Sequence, residues 1–403
     1  MNRRAFGLGA LWEVFWAASK LGLTSFGGPI AHIGYFRDEY VVRRQWLSDR
    51  AFADLVALCQ FLPGPASSQL GMAIGAKRAG IIGAIAAWIG FTFPSALLMI
   101  AFAFSADTLS LAGAGWLQGL KLAAVAIVAQ AVWSMARSLA PDRSRASLMF
   151  GSACMAILVP NMWGQLLPLL ISAVIGITLL KPQTEKEQPA EQQDDKHPVG
   201  RISAAVMLVI FFLLLILLPI AGTWTGSPVL SMVDSIYRAG SLVFGGGHVV
   251  LPMLEVEFLG SGELKLTNDQ FMAGYGAVQA VPGPLFTFAA YIGAALQTGP
   301  MRIGYALIAL IAIFLPSFLL LIGTLPFWDA LKRNRIAQAA LKGVNAGIVG
   351  ILLAALYDPI FIDTVTSSEQ FVLVLILFAF SQLWKRPPWQ TVLLAAIAGL
   401  LFL

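Results

Sequence analysis

Two proline-flanked motifs in this sequence have residue types and spacing suited to binding an anion. The hexapeptide Gln-Phe-Leu-Pro-Gly-Pro at residues 60–65 recurs 219 residues later as Gln-Ala-Val-Pro-Gly-Pro at residues 279–284. A Pro-Gly-Pro core ends an α-helix, because each proline lacks an amide N–H and disfavours helical geometry in the residue before it. The helix that begins after such a break presents free N–H groups and a partial positive charge, which favour anions.

Basic residues and glycine turns recur at matched places as well. Lys20 returns as Arg238 at a shift of 218 residues, and the turn at residues 26–28 returns at residues 244–246. A charge inside a membrane is costly and therefore indicates function, although a long basic side chain can also extend to the interface. For Lys121 and Lys342, which lie near helix starts, extension to the interface is at least as good an explanation.

These matched groups define the predicted anion-binding set. The alternative is that the glycines and prolines only permit close helix packing and kinks; we favour a site because the breaks and the bases are matched in both halves. The predicted anion-binding residues are Lys20, Phe26, Gly27, Gly28, Pro29, Gln60, Pro63, Gly64, Pro65, Ser67, Ser68, Arg238, Phe244, Gly245, Gly246, Gly247, His248, Gln279, Pro282, Gly283, Pro284 and Thr287.

The composition places these motifs in a membrane protein. Of the 403 residues, 58% are hydrophobic and 12% are charged, whereas soluble domains carry about 25% charged residues. Four long segments contain no charge and read as membrane spans: residues 79–106, 146–180, 202–233 and 303–328. The net charge of +5 is small and lies in loops, so it reports orientation in the membrane and not binding to nucleic acid. Cys59 and Cys154 both lie in apolar runs, which favours buried free thiols over a disulfide or a metal pair.

The two halves of the chain are copies of one another. Besides the breaks and turns, residues 93–95 return at 315–317 and residues 120–121 return at 341–342, in the same order and at nearly the same shift. A polar segment rich in Gln, Glu, Asp, Lys and Pro separates the copies and is typical of a solvated linker. We predict an N-terminal transporter repeat over residues 1–180, a polar cytoplasmic linker over 181–201, and a C-terminal repeat over 202–403.

The loop charges indicate that the copies have opposite orientations. Residues 37–50 hold four arginines, whereas the matching residues 255–269 hold one lysine against four carboxylates. The loop at 137–147 is basic and its counterpart at 358–369 is acidic; the reverse holds for 105–118 and 327–340. Because cytoplasmic loops carry excess Lys and Arg, this sign change predicts an all-α, polytopic integral membrane protein of two inverted repeats.

The same charges constrain the path of the chain. Single crossings at residues 5–36 and 51–76 would put the basic loop between them on the wrong side, so we predict broken, re-entrant helical hairpins that enter from the cytoplasm. The hairpins of the second copy, 231–257 and 269–298, would enter from outside. The alternative is that the broken segments are full membrane spans with a kink. Arg302 is an exception to the charge rule, because this scheme places a basic residue on the outer side. The predicted crossings are 79–104, 119–136, 148–160, 163–180, 202–220, 303–325, 341–357, 370–384 and 389–403.

Enzyme chemistry has little support in the sequence. There is no phosphate-binding Gly-x-x-x-x-Gly-Lys loop, no dinucleotide fingerprint and no His-Glu-x-x-His, and the chain holds three histidines. His32 and His248 flank the glycine turns out of register, so each is better explained by packing than by proton transfer. We predict no catalytic residue, no metal and no cofactor, and transport without ATP hydrolysis by this chain.

Taken together, the motifs resemble the chromate ion transporter family, in its long two-domain form. The resemblance rests on Ser-Phe-Gly-Gly-Pro at residues 25–29, Tyr-Phe-Arg-Asp-Glu at 35–39, Phe-Pro-Ser at 93–95, Phe-Gly-Gly-Gly-His at 244–248, and both Pro-Gly-Pro motifs. It implies a multi-pass protein of the cell inner membrane that exports chromate and confers chromate resistance. Sulfate, a tetrahedral dianion of similar shape, is a competing substrate. The alternatives are a carrier of sulfate or another oxyanion, in either direction, an anion channel, and a membrane-embedded chromate reductase. No residue argues for or against a homodimer.

Overall fold

The computed structural model describes residues 7–26, 28–108, 115–159, 162–180, 199–243, 250–259 and 264–402. In these ranges the chain is built from α-helices, and the one β-type contact is an isolated bridge between Leu259 and Leu266. The helices are α1 (Leu8–Thr24), α2 (Gly28–Arg37), α3 (Asp49–Phe61), α4 (Ala66–Thr108), α5 (Gly115–Leu139), α6 (Arg143–Leu158), α7 (Met162–Leu179), α8 (Arg201–Thr225), α9 (Pro228–Leu242), α10 (Val250–Phe258), α11 (Asn268–Ala280), α12 (Phe288–Ala295), α13 (Arg302–Thr324), α14 (Trp328–Arg333), α15 (Arg335–Ala355), α16 (Ser368–Gln382) and α17 (Pro388–Phe402).

Within the described ranges, five helical segments are long and apolar enough to cross a membrane. They cover residues 66–105, 115–139, 201–225, 299–332 and 335–361, and four shorter apolar helices accompany them. Helix α8 shows the membrane character most clearly, since only 11% of its apolar window is buried inside the protein. An exposed helix of this composition is stable in lipid and not in water.

The breaks predicted from the sequence are present at the predicted residues. Helix α3 ends at Phe61 and α4 begins at Ala66, so the first Pro-Gly-Pro lies between them; the second lies between α11 and a 3₁₀ turn that leads into α12. Helix α4 is itself interrupted at Gly80, where φ is +66°, and the matching Gly299 between α12 and α13 has φ +73°. Only glycine adopts such values without strain.

Equivalent local interactions begin the helices before the breaks. Ser48 caps α3 by accepting a hydrogen bond from the Ala51 amide, and Thr267 caps α11 in the same way from Gln270. A side-chain cap satisfies one of the amides that a helix start leaves without a partner. The two capped helices therefore start at matched points of the two halves and end at matched breaks.

Small residues allow the helices to approach closely. A Cβ on Gly22 would lie 2.6 Å from the Phe91 carbonyl oxygen, and a Cβ on the matching Gly240 would lie 2.3 Å from the Ile313 carbonyl oxygen. Packing through small residues is the usual way for helices to associate in lipid. One prediction is wrong here: the Cys59 thiol is buried as expected, but Cys154 is exposed on the surface of α6, because an apolar run in a membrane protein has lipid-facing positions as well as buried ones.

Candidate functional site

Each Pro-Gly-Pro break is hydrogen-bonded to the residue that ends a helix in the other half of the chain. The Gly64 amide donates to the carbonyl oxygen of Val243 at 2.5 Å, and the Gly283 amide donates to the carbonyl oxygen of Ser25 at 2.9 Å. Val243 and Ser25 are matched residues at the ends of α9 and α1. The two bonds are thus equivalent and reciprocal, and they bring both breaks to the contact between the halves.

A second reciprocal contact surrounds each break. A Cβ on Gly64 would lie 2.0 Å from Ser317 Oγ, and a Cβ on Gly283 would lie 3.0 Å from Ser95 Oγ. Ser317 and Ser95 follow the prolines inside α13 and α4, so each break meets a serine of the opposite half. The sequence showed these serines as part of the repeated Pro-Ser pair, but it gave no sign of their place at the breaks.

Polar side chains without partners are concentrated at this contact. The hydroxyls of Ser25, Ser68 and Ser317 are buried and have no hydrogen-bond partner among the described residues, and the same is true of Gln69 Oε1 and Gln279 Nε2. Buried polar groups are normally hydrogen-bonded, and an exception calls for a ligand, an ion or water. The set contains donors suited to an oxyanion, and its hydroxyls and Gln279 have no competing acceptor here.

Other polar side chains at the breaks stabilise the breaks themselves. Gln69 Nε2 donates to the Pro63 carbonyl at 2.7 Å, and the Thr287 hydroxyl donates to the Pro284 carbonyl at 2.9 Å. Ser67 is buried beside them at 3% exposure. These contacts satisfy carbonyls that the prolines free from helical bonding, which a membrane interior requires.

Two matched glutamines lie in different surroundings. Gln60 is exposed at the end of α3, whereas Gln279 is 5% exposed at the end of α11. The structure therefore buries Gln279 and leaves Gln60 exposed. Pro282 is half-buried, Pro65 and Pro284 are buried, and the Phe26 ring packs against Trp389, with ring centroids 6.0 Å apart.

Several predicted residues lie outside the described part of the chain. These are Gly27, Phe244, Gly245, Gly246, Gly247 and His248; the side chain of Pro29 is not described either. Gly28 has φ +78°, as the predicted turn requires.

The two predicted bases are each paired with a carboxylate, which sequence reasoning missed. Lys20 Nζ lies 3.2 Å from Glu39 Oε2, and Arg238 Nη1 lies 3.2 Å from Glu257 Oε1. Glu39 and Glu257 are related by the same shift of 218 residues as the bases, and this register was the signal available. Burial raises the pKa of Glu39, but hydrogen bonds from Arg44 and Lys20 outweigh it and hold the pKa below its ordinary value.

The clusters around the two pairs differ in net charge, because Lys265, which donates to the Glu257 carbonyl at 2.6 Å, adds a second cation to the cluster around Arg238. Glu39 also contacts Arg43 at 2.9 Å and Arg44 at 2.7 Å, so one carboxylate faces three cations. Arg238 also contacts Asp234 at 3.0 Å, so one cation faces two carboxylates. A small cleft beside Arg238 has room for about one water molecule.

Contacts between loops agree with the sides that the charge pattern assigns. Lys121 pairs with Asp269 at 2.7 Å and Asn268 donates to Asp363 at 2.6 Å, all in segments predicted outside. Arg78 pairs with Glu13 at 2.9 Å in segments predicted inside. The exceptional Arg302 is 5% exposed and donates to the carbonyls of Ala294 and Ala103, so it binds helix ends and is not a loop charge.

A known protein family matches both halves of this chain. The chromate transporter family model matches residues 12–177 and again residues 230–400, one match on each side of the polar linker. The chain belongs to the chromate transporter family. This family member is an all-α, multi-pass membrane protein. Its described residues contain no group of three or more His, Cys, Asp or Glu side chains able to hold a metal ion.

Curated relatives cover most of the chain. This family member is 29% identical over 359 residues to the chromate transport protein of Pseudomonas aeruginosa, covering 86% of this chain and 80% of the relative. It is 26% identical over 400 residues to an uncharacterized transporter of Methanocaldococcus jannaschii, covering 97% and 94%, and 24% identical over 433 residues to a probable chromate transport protein of Synechococcus elongatus, covering 99% and 96%. No solved structure matches this chain.

Proposed function

We propose that this protein is a secondary transporter that exports chromate across the cell inner membrane and thereby confers chromate resistance. The observation that carries the proposal is the reciprocal pair of bonds from Gly64 to Val243 and from Gly283 to Ser25. These bonds hold each helix break, with its unpartnered hydroxyls and amides, against the opposite half of the chain. Chromate, a tetrahedral dianion, accepts hydrogen bonds from such groups without needing a metal or a cofactor.

The two halves act as inverted repeats, residues 1–180 and 202–403, joined by the cytoplasmic linker at 181–201. In inverted-repeat transporters the substrate site lies at the repeat interface, where discontinuous helices meet. The duplicated φ values at Gly80 and Gly299 and the reciprocal contacts of the breaks support this arrangement. The grouping of loop contacts supports opposite orientations for the two copies.

The charge of the two clusters supports export. The cluster around Glu39, with three cations, lies on the predicted cytoplasmic side and attracts a dianion from the cell interior. The cluster around Arg238, in which two carboxylates balance Arg238 and Lys265, lies on the predicted outer side and has no excess positive charge to attract the same ion on return. The membrane potential acts in the same direction, since a dianion leaving an inside-negative cell gains roughly 4.6 kcal/mol per 100 mV.

Chromate accumulation in cells tests this function. We expect cells that produce the protein to accumulate less chromate and to survive higher chromate concentrations than cells with the empty vector, and added sulfate to reduce the difference by competition. Higher accumulation in producing cells would show import and overturn export. Sulfate flux without chromate flux in oriented vesicles would show a sulfate carrier, and current without saturation would show an anion channel.

A further inference from the structure

One buried carboxylate outside the anion site is not explained by packing. Glu255 lies in α10 with 4% of its surface exposed, and its Oε1 atom has no hydrogen-bond partner among the described residues. An ionised carboxylate in such a place is costly, because neither water nor a base offsets the loss of hydration. A neutral carboxylic acid at the same place needs far less compensation.

The neighbours of Glu255 add to that cost. Asp358 and Asp363, which follow α15, are close enough to repel its charge, and no base acts on it. Arg238 of the packed helix α9 instead pairs with Asp234 of the same helix and with Glu257. Helix α7, which also packs on α10, contains no charged residue, and the bases of α15, Arg335 and Lys342, form no ion pair with Glu255 in the described part of the chain.

A line of polar groups connects Glu255 to the second break. Tyr275 of α11 is buried and lies within electrostatic reach of Glu255. One helical turn further along α11 is Gln279, whose Nε2 atom has no hydrogen-bond partner among the described residues. Gln279 precedes the break that binds Ser25 through Gly283. Asp363, whose charge acts on Glu255 at a distance, is exposed and accepts a hydrogen bond from Asn268 at 2.6 Å. This line of polar groups therefore includes an exposed acidic residue and ends at the residue that precedes the second break.

The first half of the chain has no equivalent of this line. The residue that matches Glu255 is Arg37, which pairs with Asp49 at 2.8 Å, and the residue that matches Tyr275 is Val56. The anion-binding breaks are duplicated and this carboxylate is not. If a carboxylate binds a second ion that enters from one side of the membrane only, a matching carboxylate in the other half is not required.

We propose that Glu255 binds and releases a proton in each transport cycle, so that an oxyanion leaves the cell in exchange for a proton that enters. The inference rests on the proposed function at the same breaks. The carboxylate takes a proton from water at the acidic outer surface when the site faces outward, and returns it to water on the inner side after the site has turned. Tyr275 and Gln279 place this exchange next to the bound anion.

Proteoliposomes of the full chain, loaded with chromate and clamped at zero potential, test the coupling. The pH on both sides is kept where chromate is a dianion, and the outer pH is lowered by about one unit, which shifts the equilibrium chromate ratio about tenfold for each coupled proton. We expect wild-type protein to drive chromate out and to acidify the lumen. We expect Glu255→Gln to keep chromate–chromate exchange and to lose both effects. Glu369→Gln, an exposed carboxylate in the same predicted outer region, is the matched control and should behave as wild type.

The outcomes separate the two proposals. Absence of chromate exchange in wild-type vesicles overturns the proposed function, whereas exchange without proton movement overturns the coupling alone. Proton-coupled efflux that survives in Glu255→Gln removes Glu255 from the mechanism. If this variant fails to fold, the wild-type protein is instead labelled with an apolar carbodiimide, and the modified residues are located by mass spectrometry. Modification of Glu255 that decreases as the pH rises supports the proton site. Absence of modification at any pH contradicts it.

Discussion

An added methyl group at Gly64 tests the packing of the first break directly. Gly64 has φ +119°, and its Cβ in Gly64→Ala would lie 2.0 Å from Ser317 Oγ and 3.0 Å from Ser317 Cβ. Backbone strain of this type costs about 1–3 kcal/mol, and forcing a side chain aside in a packed interior costs about 1–3 kcal/mol more. The sum, about 2–6 kcal/mol, is a large part of the 5–15 kcal/mol that is typical for the stability of a native protein.

The second break gives a graded comparison. Gly283 has φ +103°, but a Cβ there would lie 3.0 Å from Ser95 Oγ, so Gly283→Ala suffers the backbone strain with little displacement. Gly9→Ala is the matched control, because Gly9 lies in a helix with nothing within 4 Å of its Cβ; there alanine should stabilise by about 0.5–1 kcal/mol.

Thermal unfolding in detergent and chromate accumulation in cells measure the effect. We expect the midpoint to fall most for Gly64→Ala, less for Gly283→Ala, and not at all for Gly9→Ala. Ser317→Gly, which removes the clashing atoms, should recover part of the loss in the Gly64→Ala background. A Gly64→Ala protein as stable and as active as the Gly9→Ala control would refute the close contact between the first break and α13.

Three further predictions concern charges. Lys20→Ala should weaken chromate efflux at low concentration, and adding Glu39→Gln should restore it by returning the local charge; a double variant as poor as the single one would place Lys20 against the anion. Arg302→Lys should lower the thermal midpoint but not transport per folded molecule, because one ammonium cannot replace the guanidinium bonds to Ala294 and Ala103, each worth about 1.5–3 kcal/mol; an unchanged midpoint would contradict this. Asp142 caps α6, and hydrogen bonds from the Arg145 amide and guanidinium hold its pKa below the ordinary value, so Asp142→Ala should cost about 1 kcal/mol near neutral pH. That difference should fade as pH falls through the folded-state pKa, and a difference that persists in acid would exclude the cap.

The helix breaks could be predicted from sequence because their cause is local. A proline removes its own N–H and constrains the residue before it, so Pro63 and Pro65 end α3 whatever lies around them. The length of the uncharged segments predicted most of the other helix boundaries. The predicted crossing at 79–104 matches the part of α4 that follows the interruption at Gly80 to within a few residues, and the crossing at 303–325 matches α13 equally closely. In both cases the information lies within about twenty neighbouring residues.

The partners of charged groups could not be predicted, because they depend on how distant segments meet. Lys20 reaches Glu39 across a turn, and Lys121 reaches Asp269 over 148 residues of chain. Identical residues at corresponding positions of the two halves can also have different surroundings. Gln60 and Gln279 share a register, yet only Gln279 is buried, since burial depends on the neighbouring helices and not on the repeat.

The ion pairs of Lys20 and Arg238 indicate that neutral groups, and not fixed cations, would contact the anion. A dianion held directly by fixed cations would bind tightly and leave slowly, whereas transport requires binding that is weak enough for release. In the described structure Lys20 and Arg238 each form an ion pair with a carboxylate. The unpartnered groups near the breaks are therefore hydroxyls and amides. Such donors recognise a tetrahedral oxyanion by the number and geometry of its acceptors, which chromate and sulfate share. In the proposed mechanism the clusters act at longer range. Selectivity between the two ions would then depend on small differences in size, and we expect sulfate to compete because the same neutral donors can bind both ions.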